Sequence, residues 1–180
     1  MSTPIVPDDA VRRFTTEYVV AEDRIRLALE RGDDSIAVLW LTRRLARRLI
    51  PQIVKVVDAF PRLRGGQAQP PTDNVQRRNQ LDALGGIEQQ APVLSGDLPP
   101  GLDSHLITSL SVRLTKGAML IDFKVGEDTV QMLPFAEAAL RQWLGVLHLN
   151  FRKGEWKDDI WPKWITAKGW DQGPDAMRLN

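Results

Sequence analysis

The stretch Ser35 to Phe60, "SIAVLWLTRRLARRLIPQIVKVVDAF", does most to limit the folds open to this chain. Ile36, Val38 and Trp40 fall on one strand face, and Ala37, Leu39 and Leu41 on the other. Both faces are apolar, which predicts a central strand covered on both sides. Thr42 is placed to cap a helix that follows at once. Leu45, Leu49, Ile53, Val56 and Phe60 recur at helical spacing as one apolar stripe. Arg43, Arg44, Arg47, Arg48 and Lys55 take the opposite arc. Pro51 removes a backbone donor and crowds the preceding turn, so a kink or break is expected there.

Upstream, Met1 to Pro7 reads as a loose arm and "PDDAVRR" as one helical turn. Phe14 to Val20 reads as a strand. Ile25, Leu27 and Leu29 alternate with Arg24, Arg26, Ala28 and Glu30, the signature of a half-buried strand. "RGDDS" supplies the turn into the central strand. Residues 1–60 thus form a strand-strand-strand-helix unit.

Between 61 and 104 the composition turns to Gly, Pro and Gln without a sustained period, which predicts a flexible or surface-draped linker. A short helix over Asp73 to Leu84 is its one candidate element. The pattern then restarts. Leu106, Leu110, Val112 and Leu114 read as one strand, and Met119, Ile121, Phe123 and Val125 as the next. Val130 to Leu133 forms a short strand, and Pro134 sits where a helix can begin. Ala136, Leu140, Trp143, Leu147 and Phe151 form a second helical stripe, so 105–151 is a second unit of the same order.

Laid over each other without a gap, the two units match Gly32 with Gly126, Asp34 with Asp128, Ile36 with Val130, Arg47 with Arg141 and Pro51 with Gly145. Internal duplication is the favoured reading; shared alternation and turn chemistry is the competing one. The fold class expected is α+β: two strand-strand-strand-helix repeats whose antiparallel sheet is packed by two amphipathic helices in one shared globular domain.

Residues 152–180 form a polar tail holding Trp156, Trp161, Trp164 and Trp170, four of the chain's 6 Trp. Tryptophans in such numbers must cover something. They either close the core or dock on a partner, where Trp anchors are enriched.

Little in the sequence points to catalysis. There is no cysteine, which removes disulfides, thiolate metal sites and cysteine nucleophiles. His105 and His148 lie far apart and lack metal-ligand spacing. The pairs Asp33-Asp34 and Glu127-Asp128 fall in hairpin turns, where local hydrogen bonding explains them; Asp158-Asp159 is a third such pair. No glycine-rich phosphate loop, nucleophile elbow or zinc-protease helix occurs. The N-terminus lacks a signal-peptide core, and no apolar run is long enough to span a membrane, so a cytoplasmic protein is expected. The formal net charge of +1 gives no bulk case for a polyanion partner, and a solvated helix face is the preferred reading of the arginine cluster.

The order of strands, then "LP" or "LT", then an amphipathic helix resembles PUR repeats and the related Whirly-type single-strand nucleic-acid binders. "DTVQMLPFAEAALRQWLGVL" carries this, and "DSIAVLWLTRRLARRLI" more weakly. The resemblance implies two units intertwined into one domain, with sheet faces that bind single-stranded nucleic acid. Its anion or nucleic-acid candidates here are Arg24, Arg26, Arg113 and Lys124, joined by Arg43, Arg44, Arg47 and Arg48 of the helix. Phe14, Tyr18 and Phe123 fall on the apolar side instead, leaving no stacking platform. The functional expectation is therefore a non-catalytic interaction or assembly module without cofactors, not an enzyme. Its partner is a protein or a second copy of itself, bound through the Trp-rich tail and a helix face. Single-stranded nucleic-acid binding is the alternative.

Overall fold

The computed structural model describes residues 10–66, 69–115, 117–157 and 159–166. Its elements run β1 (Val11–Val19), β2 (Arg24–Arg31), β3 (Ile36–Leu41), α1 (Arg43–Leu63), α2 (Asp73–Gly85), β4 (Asp103–Leu106), β5 (Ser109–Leu114), β6 (Met119–Val125), β7 (Asp128–Phe135), α3 (Glu137–Lys153) and α4 (Lys163–Thr166). They form an α+β fold with two sheets, ordered β1-β2-β3-β4 and β5-β6-β7.

Alternation sets the first sheet's faces. Ile25, Leu27 and Leu29 stand opposite Tyr18, Thr16 and Phe14 on one side and Leu41, Leu39 and Ala37 on the other, so all face the core. On the far face Ala28 and Val38 are also buried. The central strand is thus covered on both sides, except that Trp40 is only half-buried, its indole donating to Ser104 Oγ at 3.0 Å.

The sheet is not wholly antiparallel. β4 pairs parallel to β3, with Ala37 opposite Asp103 and Trp40 opposite Leu106. Asp103 and Ser104, expected as linker, therefore begin a strand, and Leu106, expected in one strand with Leu110, Val112 and Leu114, belongs to β4 of the first sheet instead of β5 of the second; the short helix expected over Asp73 to Leu84 is α2. Gln76 and Gln80 of α2 are buried despite the helix's polar composition.

Thr42 caps α1, its Oγ1 accepting from the Leu45 N–H at 3.3 Å. The helix does not break at Pro51; it runs through both Pro51 and Pro61. Pro51 has no N–H to donate to the Arg47 carbonyl, and Arg47 lies on the solvent side, where the missing helical bond costs least. Pro134 likewise does not begin a helix. It lies inside β7, an edge strand, where a missing N–H is tolerated, and α3 starts at Glu137. Val11 to Arg13 join β1 rather than a helical turn.

The order of three strands and a helix occurs twice. In the gap-free overlay the helix starts Arg43 and Glu137 coincide, as do the strand ends Leu41 and Phe135. The turns differ: the left-handed residue is Asp34 (φ 66°) in the first and Gly126 (φ 63°) in the second. The halves interlock, because α3 packs on β1, α1 packs on β5 and the two helices touch each other. One cluster of buried side chains takes residues from both halves and from the tail.

Candidate binding cleft

A cleft of about 480 Å³ opens where the edge of the first sheet meets α3. One wall is the β1 run Arg13 to Glu17. Ala139, Gln142, Trp143 and Val146, on one face of α3, form the opposite wall. Pro134 and Phe135 close an end, and the loop from Ile87 to Gly96 forms a roof.

The floor is aromatic. Phe135 and Trp143 stack at 4.8 Å, and Phe14 meets both edge-on, at 5.7 and 6.1 Å. The Trp143 indole donates to Thr16 Oγ1 at 3.0 Å.

The β1 wall carries free backbone valences. The Tyr18 N–H donates to Asn150 Oδ1, away from β2. Hydrogen-bonded and non-bonded pairs alternate along an antiparallel ladder, so Thr16 and Phe14 also aim their backbone groups outward. Asn150 Nδ2 donates to the Thr16 carbonyl at 3.4 Å and to the Val146 carbonyl at 2.8 Å. This buried asparagine thereby closes one end of the open edge. Among the described residues the Phe14 N–H and C=O and the Thr16 N–H have no protein partner.

Arginines hold the roof. Arg13 Nη1 donates to the Ala91 carbonyl at 2.6 Å, and Arg26 Nη1 to the Gly96 carbonyl at 2.8 Å. Arg26 also pairs with Glu17 at 2.8 Å and is buried. Of the sheet residues expected to meet nucleic acid, Arg26 is therefore a strut beneath a loop. Arg24 pairs with Glu22 at 3.5 Å on the first sheet. Arg113 lies on the second, where it donates to Asp122 from Nη2 at 3.0 Å and from Nε at 3.2 Å. The Arg113 hydrogen bonds hold the Asp122 carboxyl below the usual carboxylate range. Lys124 is half-buried two residues along β6. These four are not brought together on one exposed face.

On α1, Arg43, Arg44, Arg47 and Arg48 are all exposed, as expected of a solvated arc. Arg43 donates to the Lys157 carbonyl at 3.1 Å.

Trp156 and Trp164 are buried, and Trp161 is half-buried against Phe151 and His148. Trp170 lies outside the described residues. The Trp156 indole donates to Asp23 Oδ1 at 2.9 Å, and the Tyr18 hydroxyl to the same atom at 2.7 Å. Those two donors, Tyr18 first, hold Asp23 below its ordinary range. Trp164 covers Arg141, whose guanidinium carbon lies 5.9 Å from the ring centroid. Arg141 is 2% exposed; it donates to Gln76 Oε1 at 2.7 Å and to Glu137 at 3.1 Å. Burial brings its pKa down to about 10, so it stays charged at neutral pH.

His105 Nε2 lies 2.7 Å from Asp103 Oδ1. Among the described residues no three His, Asp or Glu side chains cluster as metal ligands, and no helix is long and apolar enough to cross a membrane.

Sequence reading did not assemble Phe14, Thr16, Trp143 and Asn150 into a site. The one available signal was Asn150, a polar residue between Leu147 and Phe151 on the apolar side of a helix. No family model, curated protein or solved structure matches the chain.

Proposed function

We propose that this protein is a non-catalytic interaction module that takes an extended polypeptide segment, from another protein or a second copy of itself, into the cleft beside β1. The carrying observation is the outward Phe14 N–H and C=O and Thr16 N–H, unpartnered among the described residues, beside an aromatic floor. Their backbone groups repeat at two-residue spacing, which an added strand satisfies in register. Side chains at alternate positions of that strand then face the floor, where Phe14, Phe135 and Trp143 favour apolar or aromatic partners. A volume of about 480 Å³ suits a short run of residues. Trp156 and Trp164 serve the protein's own core in this reading, so the tail supports the site instead of supplying its anchors.

Selection of displayed random peptides tests the reading. The wild type is compared with Ala139→Trp, which fills the cleft from an exposed wall position. Peptides with alternating apolar residues should enrich on the wild type alone, and backbone N-methylation at every second residue should abolish their binding. Enrichment of the same peptides on both proteins, or of none on the wild type, overturns it.

A further inference from the structure

The strongest charged surface lies away from the cleft, on α1. That helix carries six basic residues and one acidic residue. At 100° per residue, Arg44, Arg48, Lys55 and Arg62 fall within about 40° of one another around the helix axis. The row extends about 27 Å at 1.5 Å per residue. All four side chains are exposed, and among the described residues none has a carboxylate partner. Asp58, the acid near this arc, accepts instead from Gln76 Nε2 of α2.

We propose that this row is a sequence-independent docking surface for the phosphate backbone of double-stranded nucleic acid. Four cations on a rigid helix, three of them arginines, suit phosphate, which guanidinium groups bind in a forked geometry. Single strands are favoured by stacking platforms, and α1 exposes no aromatic residue: its one aromatic, Phe60, is buried. An anionic membrane would favour apolar side chains beside the charges. The only large apolar side chain well exposed on α1 is Leu63, at its last residue. The surface differs from the sheet faces that the PUR and Whirly resemblance points to, and it does not depend on the cleft.

Fluorescence anisotropy of the full chain with a labelled mixed-sequence DNA duplex of about 20 base pairs tests the proposal, since the row spans about 8 base pairs at 3.4 Å each. Single strands of equal length and phosphatidylcholine vesicles containing phosphatidylserine are the other arms. Wild-type affinity for the duplex should fall about a hundredfold between about 50 and about 200 mM salt, as four phosphate contacts release counterions. Arg44→Glu with Arg48→Glu and Lys55→Glu should abolish binding while the melting temperature holds. The three glutamines at the same positions should weaken binding at least tenfold. Lys124→Glu with Lys153→Glu and Lys163→Glu, the same charge change elsewhere, should retain most of it. Duplex binding absent at low salt, equal in the α1 variants and wild type, or weaker than binding to single strands or vesicles overturns the proposal.

Discussion

Arg113 reaches diagonally from β5 to Asp122 of β6 with two hydrogen bonds, and Ser111, directly opposite Asp122, adds a third at 3.1 Å. The arginine is more than half exposed, while Asp122 is buried. The pair thus favours the carboxylate at its own site without amounting to a buried ion pair. A carboxyl depressed in the folded state stabilises the fold above its unfolded pKa, about 4. That contribution is lost as pH falls through the lower folded value. Urea midpoints should therefore fall more steeply between about pH 5 and pH 2 in the wild type than in Arg113→Gln, with the two curves converging at the acid end. Parallel curves would show that Arg113 does not set this carboxyl. A different constraint acts at Gly154, just after α3, where a Cβ would lie 2.8 Å from Tyr18 Cε2. The φ of −81° there is ordinary, so it is the closeness of the ring that requires glycine.

Asn150 decides how the edge element β1 ends. Removing its amide leaves the Tyr18 N–H without a partner, so Asn150→Ala should cost about 1 to 3 kcal/mol in chemical denaturation. It should also raise hydrogen exchange at Tyr18 ahead of the neighbouring β2 amides. Uniform exchange along both strands would show that the asparagine is not a local edge clamp. The elements themselves were largely legible in the sequence. Alternation in Ile25 to Leu29 and Met119 to Val125, and the Thr42 cap, are local signals, and each produced an element close to where its pattern lies. β4 was hidden because "DSHL" has no alternation of its own; it is a strand because β3 offers it an open edge. Pro51 misled for a related reason. Its local cost is fixed by chemistry, while Leu49, Ile50 and Ile53 around it are fully buried and hold the helix together. The cleft was illegible because its walls come from β1, α3 and the 87–96 loop, which no spacing rule connects.

Tertiary organisation rests on a polar lock as well as an apolar core. Arg141 of α3 holds Gln76 of α2, and Gln80 Nε2 donates back to the Arg141 carbonyl at 2.7 Å. Trp164 of α4 lies over the guanidinium. Through these contacts the linker helix, the second unit and the tail share one junction, and Gln142 Nε2 adds a bond to the Ala83 carbonyl at 2.9 Å. Gln76→Ala removes an acceptor from a buried cation and should cost about 1 to 3 kcal/mol. It should also release α2, so that limited trypsin digestion followed by mass spectrometry finds early cleavage after Arg77 or Arg78 in the variant and not in the wild type. Early cleavage there in both proteins would mean that α2 opens independently of the lock. The parallel pairing of β4 has a consequence during synthesis. β3 leaves the ribosome with one side of its ladder open, and the strand that covers it follows only roughly 60 residues later, about 3 to 12 seconds at ordinary translation rates. Throughout that interval an already folded β3 would present an unpaired strand edge to its surroundings, so slowing translation between Leu41 and Asp103 should lower the yield of native protein.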